Sequence, residues 1–241
     1  MKKLNKWIAG LLCMMLVITM VAGLGVTEVK ADDAVTQHVR TGTELKKAIS
    51  NGGDIQLTSN ITAGTDDYSF NVTRDVTIDL NGYTIDRNLN VQQDNVFSVM
   101  TDGTLIIKDT SEGQNGKITG GWANEDYAGC INVSGGTLIL ESGNIVGNRS
   151  NSTFTKRGGG VALFYNGTFI MRGGKISENK AGYGAGVVVL DNCKFIMTGG
   201  EITENICDFG DYQDQDGAGV FAPILLLSVV AMAFVGVVSA L

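Results

Sequence analysis

The chain has 241 residues and a formal net charge of −7, with 33 glycines, one proline and one histidine. That length allows one repeat domain or one to two ordinary domains. An acidic chain does not attract the nucleic-acid backbone, so we predict no nucleic-acid partner. The single histidine, His38, cannot supply a multi-histidine metal site, and we expect it in a flexible N-terminal segment rather than in a catalytic triad.

The first 31 residues have the anatomy of a secretory signal peptide. Three lysines precede an apolar run from Trp7 to Leu24, and small residues lead to a candidate cleavage point after Ala31. This order of basic, apolar and small residues predicts a signal helix over residues 1–31 that is removed on export. The alternative is an uncleaved membrane anchor.

Residues 32–62 predict an N-terminal cap followed by a first strand. Thr43 is a candidate N-cap of a short helix, and a strand at 54–57 follows two glycines. The apolar face of the helix is formed by Leu45, Ala48 and Ile49. An amphipathic helix here would cover the open end of a first coil, which repeat stacks need. The alternative is a loose surface helix.

Residues 63–219 contain an internal repeat. Residues 158–179 read GGGVALFYNGTFIMRGGKISEN and residues 184–205 read GAGVVVLDNCKFIMTGGEITEN, so the two blocks align without gaps at an offset of 26. Weaker copies precede them at 128–148, at 97–118 and at 76–85. Self-similarity at a fixed period of this size is typical of repeat proteins.

Each repeat holds three short apolar runs separated by glycines. In the clearest copy they lie at 161–164, 168–171 and 175–177. Such runs are too short for helices, and their β-branched and aromatic residues favour strands. Stacked copies can bury apolar faces that a single copy cannot. We therefore predict an all-β parallel β-helix, because an antiparallel sandwich would need longer alternating strands and hairpin turns.

Equivalent repeat positions predict ladders of like side chains along the stack. One interior ladder consists of Leu105, Leu138, Phe169 and Phe195. A second consists of Ile118, Ile145, Ile176 and Ile202. A structural ladder of asparagines consists of Asn148, Asn179 and Asn205, whose stacked side chains can hydrogen-bond to one another. Glu178 and Glu204 precede two of these asparagines and are expected to form an outward, solvated row.

Two polar insertions, at 149–157 and 207–216, interrupt the repeat. Insertions in a solenoid project from one side, where binding usually resides. The second insertion holds Asp211, Asp214 and Asp216, which resemble part of a calcium loop, but Tyr212 occupies the first position of the full motif. A calcium site and an acidic spacer are the two interpretations, and no other cofactor is predicted.

No catalytic site is predicted. The pair Asp66-Asp67 is the nearest match to the two carboxylates of a glycosidase, but adjacent residues on a strand point in opposite directions. Three cysteines, Cys130, Cys193 and Cys207, remain after signal removal. A Cys193–Cys207 disulfide and small, half-buried turn thiols are both compatible with the spacing, so the disulfide state stays open.

Residues 220–241 carry no charge. A helix of that length can cross a hydrocarbon core of about 30 Å, which predicts a C-terminal apolar transmembrane helix. The alternative is an interrupted coil, because the repeat calls for a Thr-Phe-x-Met strand after Val220 and the chain instead continues as Leu-Leu-Leu-Ser-Val-Val-Ala.

The succession GG-x-I-x-x-N, GGGV and GTF-x-M resembles the right-handed parallel β-helix repeats of bacterial surface proteins. It is also similar to the GGAI and FxxN repeats of chlamydial polymorphic outer membrane proteins. The opening ELKKAIS…GDIQLTSNIT…VTIDLNGYTI is similar to the N-terminal coils of the same group. The resemblance covers roughly residues 43–220 and implies a right-handed coil and adhesin-like display on bacterial cells.

From export, repeats and resemblance together we expect a non-catalytic cell-surface scaffold, either membrane-anchored or secreted. Its expected partner is an extracellular glycan, the matrix or a host surface protein. The alternative is a carbohydrate-active enzyme of β-helix fold, a polysaccharide lyase or glycoside hydrolase, although the clustered Asp, Lys and Arg residues that the resemblance implies for such enzymes have no counterpart here.

Overall fold

A computed structural model describes residues 35–63, 69–123, 128–150, 158–190, 192–207 and 218–222. These residues form short β-strands and one α-helix. In chain order the elements are β1 (Gln37–Val39), α1 (Gly42–Asn51), β2 (Gly53–Leu57), β3 (Ile61–Thr62), β4 (Phe70–Val72), β5 (Val76–Asp79), β6 (Thr84–Asp86), β7 (Phe97–Met100), β8 (Thr104–Lys108), β9 (Lys117–Thr119), β10 (Trp122–Ala123), β11 (Ile131–Ser134), β12 (Thr137–Leu140), β13 (Asn144–Val146), β14 (Arg149–Ser150), β15 (Val161–Phe164), β16 (Thr168–Met171), β17 (Lys175–Ser177), β18 (Lys180–Ala181), β19 (Val187–Val189), β20 (Lys194–Met197), β21 (Glu201–Thr203), β22 (Ile206–Cys207) and β23 (Val220–Phe221). The predicted signal helix over residues 1–31 lies outside the described residues.

The strands stack into four sheets. Sheet 1 has the order β1-β2-β5-β8-β12-β16-β20, sheet 2 the order β3-β6-β9-β13-β17-β21, sheet 3 the order β4-β7-β11-β15-β19-β23, and sheet 4 the order β10-β14-β18-β22. Within each sheet the neighbouring strands are parallel, for example β12 with β8 and β16. The chain runs from sheet 1 to sheet 2, through sheet 4 where it exists, to sheet 3, and then one coil onward. The predicted fold class, an all-β right-handed parallel β-solenoid, is confirmed.

Strand positions follow the sequence repeat closely, since the apolar runs at 161–164, 168–171 and 175–177 are β15, β16 and β17. Sheet 4 is the part that the sequence did not predict. Arg149 begins β14 and Cys207 ends β22, so both belong to the stack and not to the insertions. Two-residue strands are too short to show an alternating pattern of apolar and polar residues, so no sequence pattern predicted them.

Helix α1 lies at the N-terminal end of the stack and buries Leu45, Ala48 and Ile49, as predicted. The N-cap is Thr41, not Thr43. Its extended backbone (φ −134°, ψ 158°) and a hydroxyl that accepts the Glu44 N–H at 3.2 Å satisfy one of the open amides at the helix start. The Glu44 carboxylate in turn accepts the Arg40 N–H at 2.8 Å, so two donors are capped together.

The prediction of a flexible segment around His38 was wrong. His38 is an exposed residue of β1, which pairs in parallel with β2 through His38 and Gln56. The backbone of β1 supplies an edge strand to sheet 1, and this pairing holds the segment before α1 in place.

The interior of the stack is a single apolar core built from the predicted ladders. Leu105, Leu138 and Phe169 are fully buried and pair in register in sheet 1, with Phe195 next in the same row. In sheet 2 the corresponding row is Ile118, Ile145, Ile176 and Ile202. The rings of Phe169 and Phe195 stack with centroids 5.1 Å apart. Each coil presents the same face inward, so one apolar side chain meets its equivalent on the next coil.

Buried aspartates hold the turns between sheets 1 and 2. The Asp79 carboxylate accepts hydrogen bonds from the Thr110 hydroxyl at 2.6 Å, from the Thr110 N–H at 3.0 Å and from the Gln56 amide at 2.9 Å. Burial by itself raises the pKa of Asp79, but these hydrogen bonds from Thr110, Gln56 and the Asn81 N–H outweigh it and lower the pKa below its ordinary value. One coil on, Asp109 accepts the N–H groups of Gly82 and Gly116.

Candidate ligand-binding face

The asparagines singled out by the repeat form a continuous hydrogen-bonded ladder beside sheet 2. Asn148 Nδ2 donates to Asn179 Oδ1 at 3.0 Å, and Asn179 Nδ2 donates to Asn205 Oδ1 at 3.0 Å. The ladder also binds the backbone, because Asn179 Oδ1 accepts the Asn148 N–H at 3.0 Å. Asn148 and Asn179 are fully buried. Their hydrogen bonds are used within the stack, so the arrangement is a structural element and offers nothing to a ligand.

The structure does not describe the acidic residues that the sequence offered as candidate sites. Asp211, Asp214 and Asp216, the candidate calcium ligands, and the pair Asp66-Asp67 fall outside the described residues. Within the described ranges, no three histidine, cysteine, aspartate or glutamate side chains gather into a group that could hold a metal ion.

The cysteines occupy different parts of the coil. Cys130 is fully buried just before β11, and burial raises the pKa of its thiol well above the ordinary value. Cys193 precedes β20 of sheet 1, whereas Cys207 lies in β22 of sheet 4, and no disulfide joins these described residues.

Length variation between coils is largest on one side of the stack, although the connection 109–116 between sheets 1 and 2 is also long. The segments that lead into the strands of sheet 3 are 63–69, 87–96, 124–130, 151–160, 182–186 and 208–219. The segments that leave sheet 3 for sheet 1 are much more uniform, for example 101–103, 135–136 and 165–167. The longest connections, 87–96, 151–160 and 208–219, therefore all precede strands of sheet 3.

The outer surface of sheet 3 changes from polar to apolar along the stack. Residues between the core-facing ones point outward, and the first outward row consists of Asn71, Ser98, Asn132, Ala162, Val188 and Phe221. Ala128 packs over this row, and its N–H donates to Asn132 Oδ1 at 2.7 Å. Phe164 joins Ala128, Ala162 and Val188 in a small apolar cluster separate from the interior core. Sheet 3 is thus covered on both faces for part of its length.

Three buried polar atoms near this row have no hydrogen-bond partner among the described residues: Asn95 Oδ1, Trp122 Nε1 and Asn132 Nδ2. They are neighbours in the fold, because Asn95 Nδ2 donates to Ser98 Oγ at 3.1 Å and Asp94 bridges to Trp122. The Arg149 guanidinium lies 4.1 Å from the centre of the Trp122 ring. A buried polar atom left unpaired costs about 1–3 kcal/mol, so a bound polar group here would be stabilised.

At the other end of these strands lie the exit turns, which we define as residues 101–103, 135–136, 165–167 and 192–193, between sheet 3 and sheet 1. Hydrogen bonds close them: the Gly103 N–H donates to the Met100 carbonyl at 2.9 Å and the Gly167 N–H to the Phe164 carbonyl at 2.9 Å. Successive turns are also joined, since the Thr168 N–H donates to the Gly136 carbonyl at 2.9 Å. The exit turns are therefore rigid and regularly spaced.

Tyr165 is the most exposed aromatic residue that the structure describes in these turns, with 79% of its surface accessible. It has φ 50° and is followed by Asn166 with φ 67°, a pair of left-handed residues as in a type I′ turn. Asparagine and glycine suit such positions, whereas a left-handed backbone costs a bulky residue about 1–2 kcal/mol. The Tyr165 ring lies 6.4 Å from the ring of Phe164, and most of its surface remains available to a ligand.

Polar side chains continue the row on either side of Tyr165. Asp102, Asn166 and Asn192 are all exposed and all have positive φ (67°, 67° and 63°), so they hold equivalent corners of different coils. Met100, just before the first turn, is 40% exposed. The sequence carried a signal for this row in Asp102-Gly103 and Asn166-Gly167, each at the end of a sheet 3 strand, but the repeat alone does not say which corners are exposed together.

Comparison of the chain with protein families, with curated proteins and with solved structures gives no match. No helix formed by the residues that the structure describes is both long enough and apolar enough to cross a lipid bilayer.

Proposed function

We propose that the protein is an exported, adhesin-like scaffold of the bacterial cell surface that binds an extracellular ligand and has no catalytic role. The signal-like N-terminus and the resemblance of the repeats to surface β-helices support export. The apolar segment from residue 223 to 241 is the proposed membrane attachment. Val220 and Phe221, which the sequence assigned to that segment, instead form β23 and pair with β19.

The observation that carries the proposal is that the longest connections, of ten to twelve residues, all lead into strands of sheet 3. The exit turns show that a coil can close with two or three residues, so the longest connections exceed what closure requires, although Val96 at the end of 87–96 packs in the core. Because all of them precede strands of one sheet, they start from the same side of the stack although they are far apart in the sequence. Repeat proteins use such surfaces for binding.

A loop exchange tests this proposal. The connection 182–186 (Gly-Tyr-Gly-Ala-Gly) joins β18 to β19 and closes a coil with few residues. Replacing 151–160 with this short connection should leave the circular dichroism spectrum of the stack unchanged and reduce binding to the cells, matrix or glycans that the intact chain recognises. Unchanged binding by a variant with an intact stack would show that the long connection 151–160 does not contact the ligand.

Export and attachment have a separate test. The intact chain and a variant lacking residues 223–241 are produced in the same bacterial host and assayed in membrane, surface and medium fractions. We expect the intact chain in the membrane fraction and the shortened chain in the medium. Equal amounts of both forms in the medium would contradict attachment through this segment.

The alternative, a carbohydrate-active enzyme of the same fold, predicts cleavage of a polysaccharide by the purified chain. Release of unsaturated or reducing ends from pectin, alginate or similar polyanions would overturn the non-catalytic proposal.

A further inference from the structure

The exit turns combine an aromatic ring with hydrogen-bonding side chains on one regular edge. Tyr165 exposes its ring, while Asn166 and Asn192 lie on adjacent coils and Asp102 lies two coils before Asn166. Adjacent coils are separated by about 4.8 Å, as in any parallel sheet. The row runs along the stack axis, and each coil that contributes to it presents one polar side chain.

This chemistry fits a sugar chain. Asparagine and aspartate side chains pair with neighbouring hydroxyl groups, the amide as donor and acceptor and the carboxylate as acceptor. A tyrosine ring offers a flat apolar surface with a polar tip, which matches the C–H face of a sugar ring bordered by its hydroxyls. A glycan running along the stack would pass Asp102, Asn166 and Asn192 in turn, with the bare backbone of Gly135 between the first two.

Charge favours a neutral glycan over a polyanionic one. The exit turns as defined include one described carboxylate, Asp102; the preceding turn on the same edge, 73–75, adds Arg74 and Asp75, and Lys194 follows the last turn, so the described cations form no continuous row. The whole chain carries a net charge of −7. A polyanion would be repelled by the chain as a whole and would find no basic row to bind along these turns.

The backbone of Tyr165 supplies an independent argument. A tyrosine with φ 50° disfavours folding relative to asparagine or glycine at the same place. Glu178 has a similar backbone, φ 56°, on a different side of the coil, beside sheet 2. A substitution at Glu178 relieves a left-handed backbone without removing an aromatic ring. It therefore separates the effect of backbone strain from the effect of losing the Tyr165 ring.

We propose that the exit turns bind a neutral, linear glycan along the stack axis, with Tyr165 stacking on a sugar ring and Asp102, Asn166 and Asn192 bonding its hydroxyls. This inference rests on the proposed function of the protein as a surface binder and adds a second binding edge, opposite the long connections, with a stated class of ligand.

The test uses the full chain and immobilised oligosaccharides of neutral linear glycans, namely cello-, laminari-, manno- and xylo-oligosaccharides, with heparin and pectin as polyanions. We expect retention on at least one neutral series. Tyr165→Asn should raise the urea midpoint of unfolding and weaken that binding about tenfold or more, as for a central aromatic contact. Tyr165→Phe, which keeps the ring, should bind within a few fold of the original chain.

Glu178→Gly is the matched control. It relieves a left-handed backbone in the same way and should raise the urea midpoint while leaving glycan binding unchanged. Equal affinity of the Tyr165→Asn variant and the original chain would overturn the inference. Binding only to polyanions or to matrix proteins would refute the neutral glycan and leave the proposed function standing, whereas failure to bind any surface, glycan or matrix ligand would refute both.

Discussion

Asparagine 179 is expected to contribute more to the stability of the stack than Asn205, although the two side chains make equal numbers of hydrogen bonds. Asn179 accepts twice from Asn148 and donates to the Ile145 carbonyl and to Asn205. Asn205 accepts twice from Asn179 and donates to the carbonyls of Ile176 and Thr203. The two positions differ in burial, since Asn179 is fully buried and Asn205 is half-buried.

Burial sets the expected magnitudes. Asn179→Ala removes the acceptor of the buried Asn148 N–H, and a buried donor without a partner costs about 1–3 kcal/mol in addition to roughly 1 kcal/mol for each net hydrogen bond lost. We expect a loss of about 3 kcal/mol in the free energy of unfolding. Asn205→Ala also removes an acceptor from Asn179, but Asn205 is half-buried, so water that enters its place can bond the Asn179 donors and the loss should be only about 1 kcal/mol.

Urea unfolding followed by circular dichroism at 25 °C, with linear extrapolation to water, measures both losses. The comparison needs the slope of the transition to stay the same in all three chains. Equal losses for the two variants would show that burial does not determine how much each asparagine contributes to the free energy of unfolding. A loss for Asn179→Ala below that for Asn205→Ala would refute the reasoning outright.

Three further predictions concern stability at low pH, the reactivity of a thiol and the stability of a turn. The pKa of Asp79 is lower in the folded chain than its ordinary value of 3.8, so its stabilising contribution is present above that pH and is lost as the pH falls through the folded pKa. Asp79→Asn should therefore flatten the fall in unfolding free energy below roughly pH 4, and parallel pH profiles would contradict this. Because burial raises the pKa of Cys130, iodoacetamide should label that residue only after unfolding, and mass spectrometric detection of the adduct in the native chain would contradict the assignment. Glu178→Gly should stabilise the chain by about 1 kcal/mol in urea, since Gly147 holds the equivalent corner one coil earlier with φ 70°; a lower urea midpoint would show that the left-handed backbone is not strained.

The interior of the stack was predictable to single residues. Equivalent coils place equivalent residues in the same surroundings, so aligning the sequence with itself also aligned the strands in space. The register of Leu138 with Phe169 and of Ile145 with Ile176 follows directly from the offset between repeats. The apolar face of α1 was predictable for a related reason, because Leu45, Ala48 and Ile49 recur at helical spacing.

Short elements and caps were less predictable. Threonines at 41 and 43 are equally good N-caps by residue type, and the backbone conformation at Thr41 decided between them. Sheet 4 rests on pairs such as Trp122 with Arg149, where the strand exists only because the next coil passes beside it. No local pattern encodes such a strand, since its hydrogen bonds are made entirely with residues distant in sequence.

The sequence by itself determined the repeat, the class of fold and the side chains that line the interior, because these depend on a pattern that every coil restates. The tertiary structure alone decided which corners of different coils share an edge. It assigned the longest connections to positions before strands of sheet 3 and brought Asp102, Asn166 and Asn192 into one row beside the exposed ring of Tyr165. The physical reason is that a surface row in a solenoid is made from residues a full coil apart, and their alignment depends on how each coil closes.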